Sequence, residues 1–301
     1  MESPEKVREV NYHQRCLAIK ETFAAFSGQI TISWLCQLAQ VSRAGYYRWL
    51  NHKKSPKQLL DEQLMELIKQ IYYEQKGKWG YRQIRMQING RLGKNYNIKR
   101  IRRLMGLLGL RAVIRRPRHA CTIVKGNNFE PNRLNRDFTA QRPNQKWVTD
   151  VTYLSYGNDN RAYLSAIKDL YDHTIIAYVV SHRNDNALVM KTMNQALKRN
   201  PQAQPLLHSD RGFQYTSKEF ARFTAKYSIT RSMSRVGRCL DNAPMESFWG
   251  HYKDEAYYGE CFETFEELVA SIDQYIYFYN HERYQEKLDS HTPVQYRHQA
   301  A

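Results

Sequence analysis

The stretch KWVTDVTYLSY, residues 146–156, decides the reading of this chain. It is dense in β-branched and aromatic residues, which fit a pleated, half-buried surface. Alternation along a strand places Val148, Asp150, Thr152 and Leu154 on one face. Three of the four suit a buried face. The carboxylate does not, because an ionised acid leaving water is costly unless it is paired or bound to a cation. Asp150 is therefore the first candidate functional residue.

Outward from this strand the pattern continues. AYLSAIKDLY (162–171) and TIIAYVVSHR (174–183) read as two further strands, with Asp172-His173 at a turn, giving an antiparallel three-strand meander. DNALVMKTMNQALKRN (185–200) reads as a helix capped by Asp185 or Asn186 and stopped near Pro201. PLLHSD (205–210) is a short buried strand, SKEFARFTAKYS (217–228) a helix and ITRSMS (229–234) a fifth strand. SRVGRCLDN (234–242) forms a loop, and APMESFWGHYKDEAYY (243–258) and FEELVASIDQYIYFYNHE (265–282) two last helices. The order implies an α/β fold of the ribonuclease-H-like kind: a mixed five-stranded sheet with flanking helices.

In that arrangement the first and fourth strands are neighbours, so Asp210, at the end of the fourth, comes beside Asp150. Glu246 falls in the first turns of a helix that Asn242 is expected to cap, where the positive helix end favours an acid. Asp241 is a possible second cap. Three converging acids repel one another without a cation, and a pair of Mg²⁺ or Mn²⁺ ions about 3.5–4 Å apart relieves that repulsion while serving phosphoryl displacement. Oxygen-only ligands suit those ions better than zinc. Asp169 and Asp172 are rival acids, at a strand end and a turn. His208, beside Asp210, reads either as a proton carrier or, better, as a packed histidine.

The front of the chain differs in composition. Of the net charge of +17, residues 1–142 hold 28 basic and 10 acidic groups, and residues 143–301 hold 18 and 19. Such asymmetry points to a polyanionic partner for the front. TISWLCQLAQ (31–40), a short break, and RAGYYRWL (43–50), capped by Ser42, form a helix-turn-helix carrying Arg43 and Arg48. LLDEQLMELIKQIYYEQ (59–75) sets Leu60, Leu64, Leu67, Ile68 and Ile71 on one helical face. A helix around Ile84, Ile88 and Leu92 leads to NIKRIRRLMGLLGL (97–110), whose outward Lys99, Arg100, Arg102 and Arg103 suit a recognition helix. The expected organisation is a helix-turn-helix over 1–55, a second helical DNA-binding domain over 56–118, an extended or loosely ordered linker over 119–143 and the catalytic core over 144–301. No run of about 18 apolar residues is present, which disfavours a membrane span. The N-terminus lacks the apolar run of a signal peptide. Five scattered cysteines without a C-x-x-C pair disfavour disulfide or zinc frameworks and fit a reducing cytoplasm.

These residues carry a resemblance. Between Asp150 and Asp210 lie 59 residues, between Asp210 and Glu246 lie 35, and Lys253 follows Glu246 by seven. With KWVTDVTYL, HSDRGFQYTS, DNAPMESFWGHYKDE, YNHERYQEKLDSHTPVQY and the front string YRQIRMQINGRLGKNYNIKRIRRLMGLLGLRA, the chain resembles bacterial transposases of the insertion-sequence-three family, with a retroviral-integrase-like core. The resemblance implies strand cleavage and transfer at the terminal inverted repeats of an element and into target DNA. It implies Asp150 and Asp210 on one metal ion, Asp150 and Glu246 on a second, and Lys253 on a phosphate. It also implies a homo-oligomer, at least a dimer on DNA, in a bacterial cytoplasm at the nucleoid, and a second-reading-frame product with an upstream-frame partner. Arg283-Tyr284-Gln285 departs from the Arg-Pro-His common in the family. A hydrolytic nuclease would not need two basic helix-turn-helix units. A DNA-binding repressor would not need the three acids.

Overall fold

The computed structural model describes residues 12–26, 29–53, 55–113 and 129–299. The chain forms two compact units, Met1–Leu64 and Met65–Ala301. Among the described residues, no helix is long and apolar enough to cross a membrane.

In the first unit, α1 (Tyr12–Ala25), α2 (Ile32–Leu38) and α3 (Arg43–Leu50) close around Cys16, Ile19, Leu35, Cys36, Val41 and Tyr46. The two expected helices are joined by an unexpected third, α1, so the helix-turn-helix is braced as a three-helix cluster. Gln40 takes a left-handed conformation in the break (φ 54°), and Ser42 Oγ accepts from the backbone N–H of Gly45 at 3.1 Å, as its capping role requires.

The boundary between the units falls within α4 (Pro56–Glu74), whose inward residues include Leu64, Ile68 and Ile71. Two helices follow, α5 (Tyr81–Leu92) and α6 (Ile98–Leu107). Gly93 ends α5 in the left-handed region (φ 59°), a conformation that costs any residue with a Cβ. Asn97 Oδ1 caps α6 by accepting from Lys99 N–H at 2.8 Å. Ile101, Leu104 and Met105 are buried beneath it.

The rest of the second unit is one sheet covered on both faces. β1 (Lys146–Tyr156), β2 (Asn160–Asp169) and β3 (Ile175–Ser181) form the antiparallel meander; β4 (Leu206–Ser209) and β5 (Thr230–Met233) add in parallel, giving the order β3-β2-β1-β4-β5. α7 (Asn186–Arg199) and α8 (Lys218–Lys226) cover one face over Trp147, Ile167, Ala177 and Leu207. α9 (Ala243–Tyr252) and α10 (Phe265–His281) cover the other over Val148, Leu154, Leu164 and Ala166. This is the ribonuclease-H-like architecture. A short α11 (Pro293–His298), absent from the sequence reading, is anchored by Arg297, whose guanidinium donates to Asp172 at 2.7 Å and Asp169 at 3.2 Å. Both rival acids are thus consumed in holding the chain end.

Of the two readings left open for the connector, residues 129–143 take the extended one: they contain neither helix nor strand, and they are seated against the core. The backbone N–H groups of Arg133 and Leu134 donate to Ser232 Oγ at 2.9 and 3.0 Å, and Leu134 is buried. Asp241 is not a helix cap: its fully buried carboxylate binds Arg136 (2.7 Å), Arg235 (2.8 Å) and Asn132 (3.0 Å), tying the connector to the loop before α9. Those donors hold it far below the ordinary aspartate range. Residues 119–128 of the expected linker lie outside the described residues.

Candidate active site

Strand pairing builds the first half of the site. β1 runs parallel to β4 with Val148 opposite His208. Two residues further along the same register, Asp150 and Asp210 emerge side by side. Asp150 stays in β1, opposite Ala166 of β2, while Asp210 lies one residue beyond β4. One Asp150 oxygen accepts from the N–H of Val151 at 2.8 Å, and the other from Trp249 Nε1 at 3.0 Å. Asp210 Oδ1 accepts from Gly212 N–H at 2.9 Å.

The helix α9 supplies the rest. Glu246 lies in its first turn, with its side chain toward solvent. Asn242 precedes the helix but makes no side-chain cap. Its Nδ2 donates instead to the carbonyl of Thr149 at 3.2 Å, fixing the start of α9 to the β1 residue before Asp150. A short polar residue at a helix start suggests a cap from sequence. The tertiary acceptor wins here because the buried Thr149 carbonyl offers a bond across elements that solvent cannot replace.

The electrostatics follow from this placement. Burial, and then the charge of Asp210 and that of Glu246, raise Asp150 well above the usual carboxylate range, against the lowering effect of its two N–H donors. Burial also raises Asp210, and desolvation raises Glu246. Among the described residues, none of the three forms an ion pair with a basic side chain. Such a set is short of positive charge and made only of carboxylate oxygens, a donor chemistry that fits Mg²⁺ or Mn²⁺. Among the described residues, no three His, Cys, Asp or Glu side chains are grouped closely enough to hold a single ion together.

The other expected residues are distributed as follows. Lys253 begins a π-helical turn after α9, Lys253–Tyr257, with Nζ 5.4 Å above the Tyr153 ring. Lys99, Arg102 and Arg103 are exposed on α6; Arg100 is half-buried, 5.9 Å over Tyr96, and Arg102 lies 5.7 Å over Tyr81. Arg43 and Arg48 are exposed on α3. His208 is buried with Nδ1 2.9 Å from Ser232 Oγ and Nε2 3.1 Å from Ser234 Oγ, and burial lowers it to about 4. With both ring nitrogens engaged, it is a packed histidine. Trp249 and Asn242, which position the acids, were not recognisable as such in the sequence.

Comparison with known proteins identifies the family of the chain. Residues 140–239 and 246–300 match family models described as integrase core domain, and residues 59–118 match an HTH-like domain. The chain is 38% identical over 266 residues to the putative transposase InsK of insertion sequence IS150 from Escherichia coli K12, covering 88% of this chain and 93% of that protein. It is 33% identical to a transposase of element IS904 from Lactococcus lactis, covering 80% and 96%. The solved HTLV-2 integrase catalytic core overlays 52% of this chain and 98% of that one, with 19% identity and a TM-score of 0.39.

Proposed function

The chain belongs to the insertion-sequence-three family of transposases with an integrase core, and from that premise we propose that it binds the ends of an insertion sequence and cuts and rejoins DNA strands there. Asp150, Asp210 and Glu246 are the catalytic residues of this reading. The observation that carries it is the β1–β4 pairing, which sets Asp150 beside Asp210 while the charge of Glu246 acts on Asp150. Asp150 and Asp210 would hold one Mg²⁺ or Mn²⁺ ion, and Asp150 and Glu246 the other. Two such ions, when bound, stabilise the attacking and leaving oxygens of an in-line phosphoryl displacement. Trp249 and the Val151 N–H fix the Asp150 oxygens, so little reorganisation is needed when the substrate arrives. Lys253, two turns beyond Glu246, would contact a phosphate near the cut.

DNA-end recognition falls to the front of the chain. Lys99, Arg100, Arg102 and Arg103 on α6, with Arg43 and Arg48 on α3, would contact the duplex. We retain the four-part organisation 1–55, 56–118, 119–143 and 144–301 as the functional division. The acting form is a homo-oligomer, at least a dimer on DNA, because an element has two ends to join.

The test is incubation with terminal inverted-repeat DNA and Mg²⁺, followed by separation of nicked and joined strands. Nicking and joining are expected from the wild type. Asp150→Asn, Asp210→Asn and Glu246→Gln should each abolish both and leave end binding intact. Nicking without joining would favour a hydrolytic nuclease instead. Full strand transfer by any of the three variants would remove the assignment.

A further inference from the structure

A second site lies on the other flank of α9. Ala243, Pro244, Ser247 and His251 of that helix line a cleft of about 990 Å³, closed by α5, the connector and the segment after α10. Glu246 and Trp249 of the same helix do not line this cleft, and Trp249 donates instead to Asp150. At the base of the cleft is Lys168, near the end of β2. It is 6% exposed. Among the described residues, its ammonium forms no ion pair and no hydrogen bond; it lies 5.8 Å from the centroid of the Tyr279 ring, and its charge also reaches His173. The stem of Lys168 is buried while its ammonium opens into the cleft beside that ring, a cation presented to the cavity without a fixed counter-ion.

The surroundings indicate what it awaits. The half-buried rings of Tyr81, Phe138, Tyr171 and Tyr296 line the walls, and Arg82 and Lys287 stand at the rim beside Glu286. The other buried cation in the cleft, Arg283, is already committed to Glu255 at 2.7 Å. A lone ammonium at the base of an aromatic cleft matches the chemistry of an unpaired nucleotide, phosphate on the cation and base on the rings. The cavity is too small for a duplex. Its location fits as well: Lys168 pairs with Val148 and Ala166 with Asp150, so Lys168 and Asp150 are diagonal neighbours on one sheet face, about 7–8 Å apart along the backbone.

We propose that this cleft holds a single-stranded stretch of DNA next to the cut site, with Lys168 binding one of its phosphates. The idea rests on the reading of the chain as a DNA-joining enzyme, but it can fail separately.

The experiment measures binding of a short thymidine oligonucleotide, and of a duplex of the same length, to the full-length protein without metal across a salt series. Lys168→Met keeps the length of the side chain and removes the charge. We expect single-strand affinity to fall roughly tenfold or more, and the log-log salt slope to lose about 0.7, the value for one phosphate contact. Duplex affinity should change far less. The melting temperature of the variant should stay close to that of the wild type, since methionine fills the same space and the ammonium holds no ion pair or hydrogen bond within the fold. In parallel, inorganic phosphate at fixed ionic strength should raise the melting temperature of the wild type and not of the variant. Lys168→Gln should behave likewise and guards against a packing artefact in one variant. Wild-type affinity and slope in both variants, or equal losses for duplex and single strand, would overturn the proposal. Because these measurements omit metal, a failure of the acids in the strand-joining assay leaves them readable.

Discussion

The bond from Trp249 to Asp150 offers a sharp test of how the acids are held. Trp249→Phe keeps an aromatic ring in the packing of α9 and deletes the one side-chain donor that Asp150 has among the described residues. Asp150 then retains only the Val151 N–H at 2.8 Å and loses the indole N–H at 3.0 Å. A hydrogen bond to a charged acceptor contributes about 1.5–3 kcal/mol. At roughly 1.4 kcal/mol per tenfold, its loss corresponds to about 10–100-fold in the affinity for a cation that needs this carboxylate ionised and oriented, the range seen when outer partners of metal ligands are removed. Because Asp150 is shared by both proposed ions, neither escapes the effect. The assay is calorimetric titration of Mn²⁺ into wild type and variant, paired with strand joining at rising Mn²⁺. We expect the half-saturating Mn²⁺ concentration for joining to rise by one to two orders of magnitude, with much of the rate recovered at saturation. Stability should fall by no more than a few kcal/mol, since the ring is shortened and not removed. Unchanged Mn²⁺ affinity in a folded variant would show that the indole plays no part in presenting Asp150.

Three further outcomes follow from the same structure. Mn²⁺ should raise the melting temperature of the wild type more than that of Asp150→Asn, because an ion bound only by the fold at 100 times its dissociation constant adds about 2.7 kcal/mol; equal rises would mean that the ion sits elsewhere. Burial, and then the charge of Lys168, lower His173 from 6.5 to about 4, so the unfolded chain takes up its proton first as pH falls and stability is lost across that window, at about 1.4 kcal/mol per unit. His173→Asn, chosen because His173 sits at φ 63° where asparagine is tolerated, should flatten the fall in urea midpoint between pH 7 and pH 5; an unaltered pH slope would contradict this. Alanine at Lys99 or Arg103 in the full chain should either lower the salt slope of end binding by about 0.9, for a phosphate contact, or cost about 1–3 kcal/mol with relaxed sequence preference, for a base contact; no change in either quantity would remove α6 from the interface.

Much of this architecture was legible in the residues because local signals and tertiary demands agree. The alternation in 146–156 and the turn at Asp172-His173 specify a strand meander without reference to the rest of the chain, and the acids stand out against apolar neighbours. What escaped was decided by partners remote in sequence. α1 shows only Cys16, Ile19 and Phe23 as an apolar stripe among polar residues, and its helix is supported by packing on α2 and α3. The connector 129–143 has turn-rich composition, and its order comes from Ser232 and Asp241, about a hundred residues away. Asn242 obeys the local rule for a cap, but its amide serves β1. Lys168 reads as an ordinary strand lysine until β2 is seen to bury it.

If the proposed function holds, the parallel pairing of β4 with β1 also governs when this protein gains the power to cut DNA. β1, β2 and β3 are contiguous hairpins that a growing chain can assemble alone. Asp210 reaches Asp150 only after β4 has inserted beside β1, across a closed loop containing the meander and α7, and Glu246 follows later still. Non-local parallel contacts of this kind form slowly, since the entropy of loop closure is lost before the contacts are gained. On the proposed function, an unfinished chain on the ribosome would carry its basic front well before it carried the proposed cutting centre. That centre would come into existence as one of the last acts of folding, and a chain truncated before residue 246 would lack it.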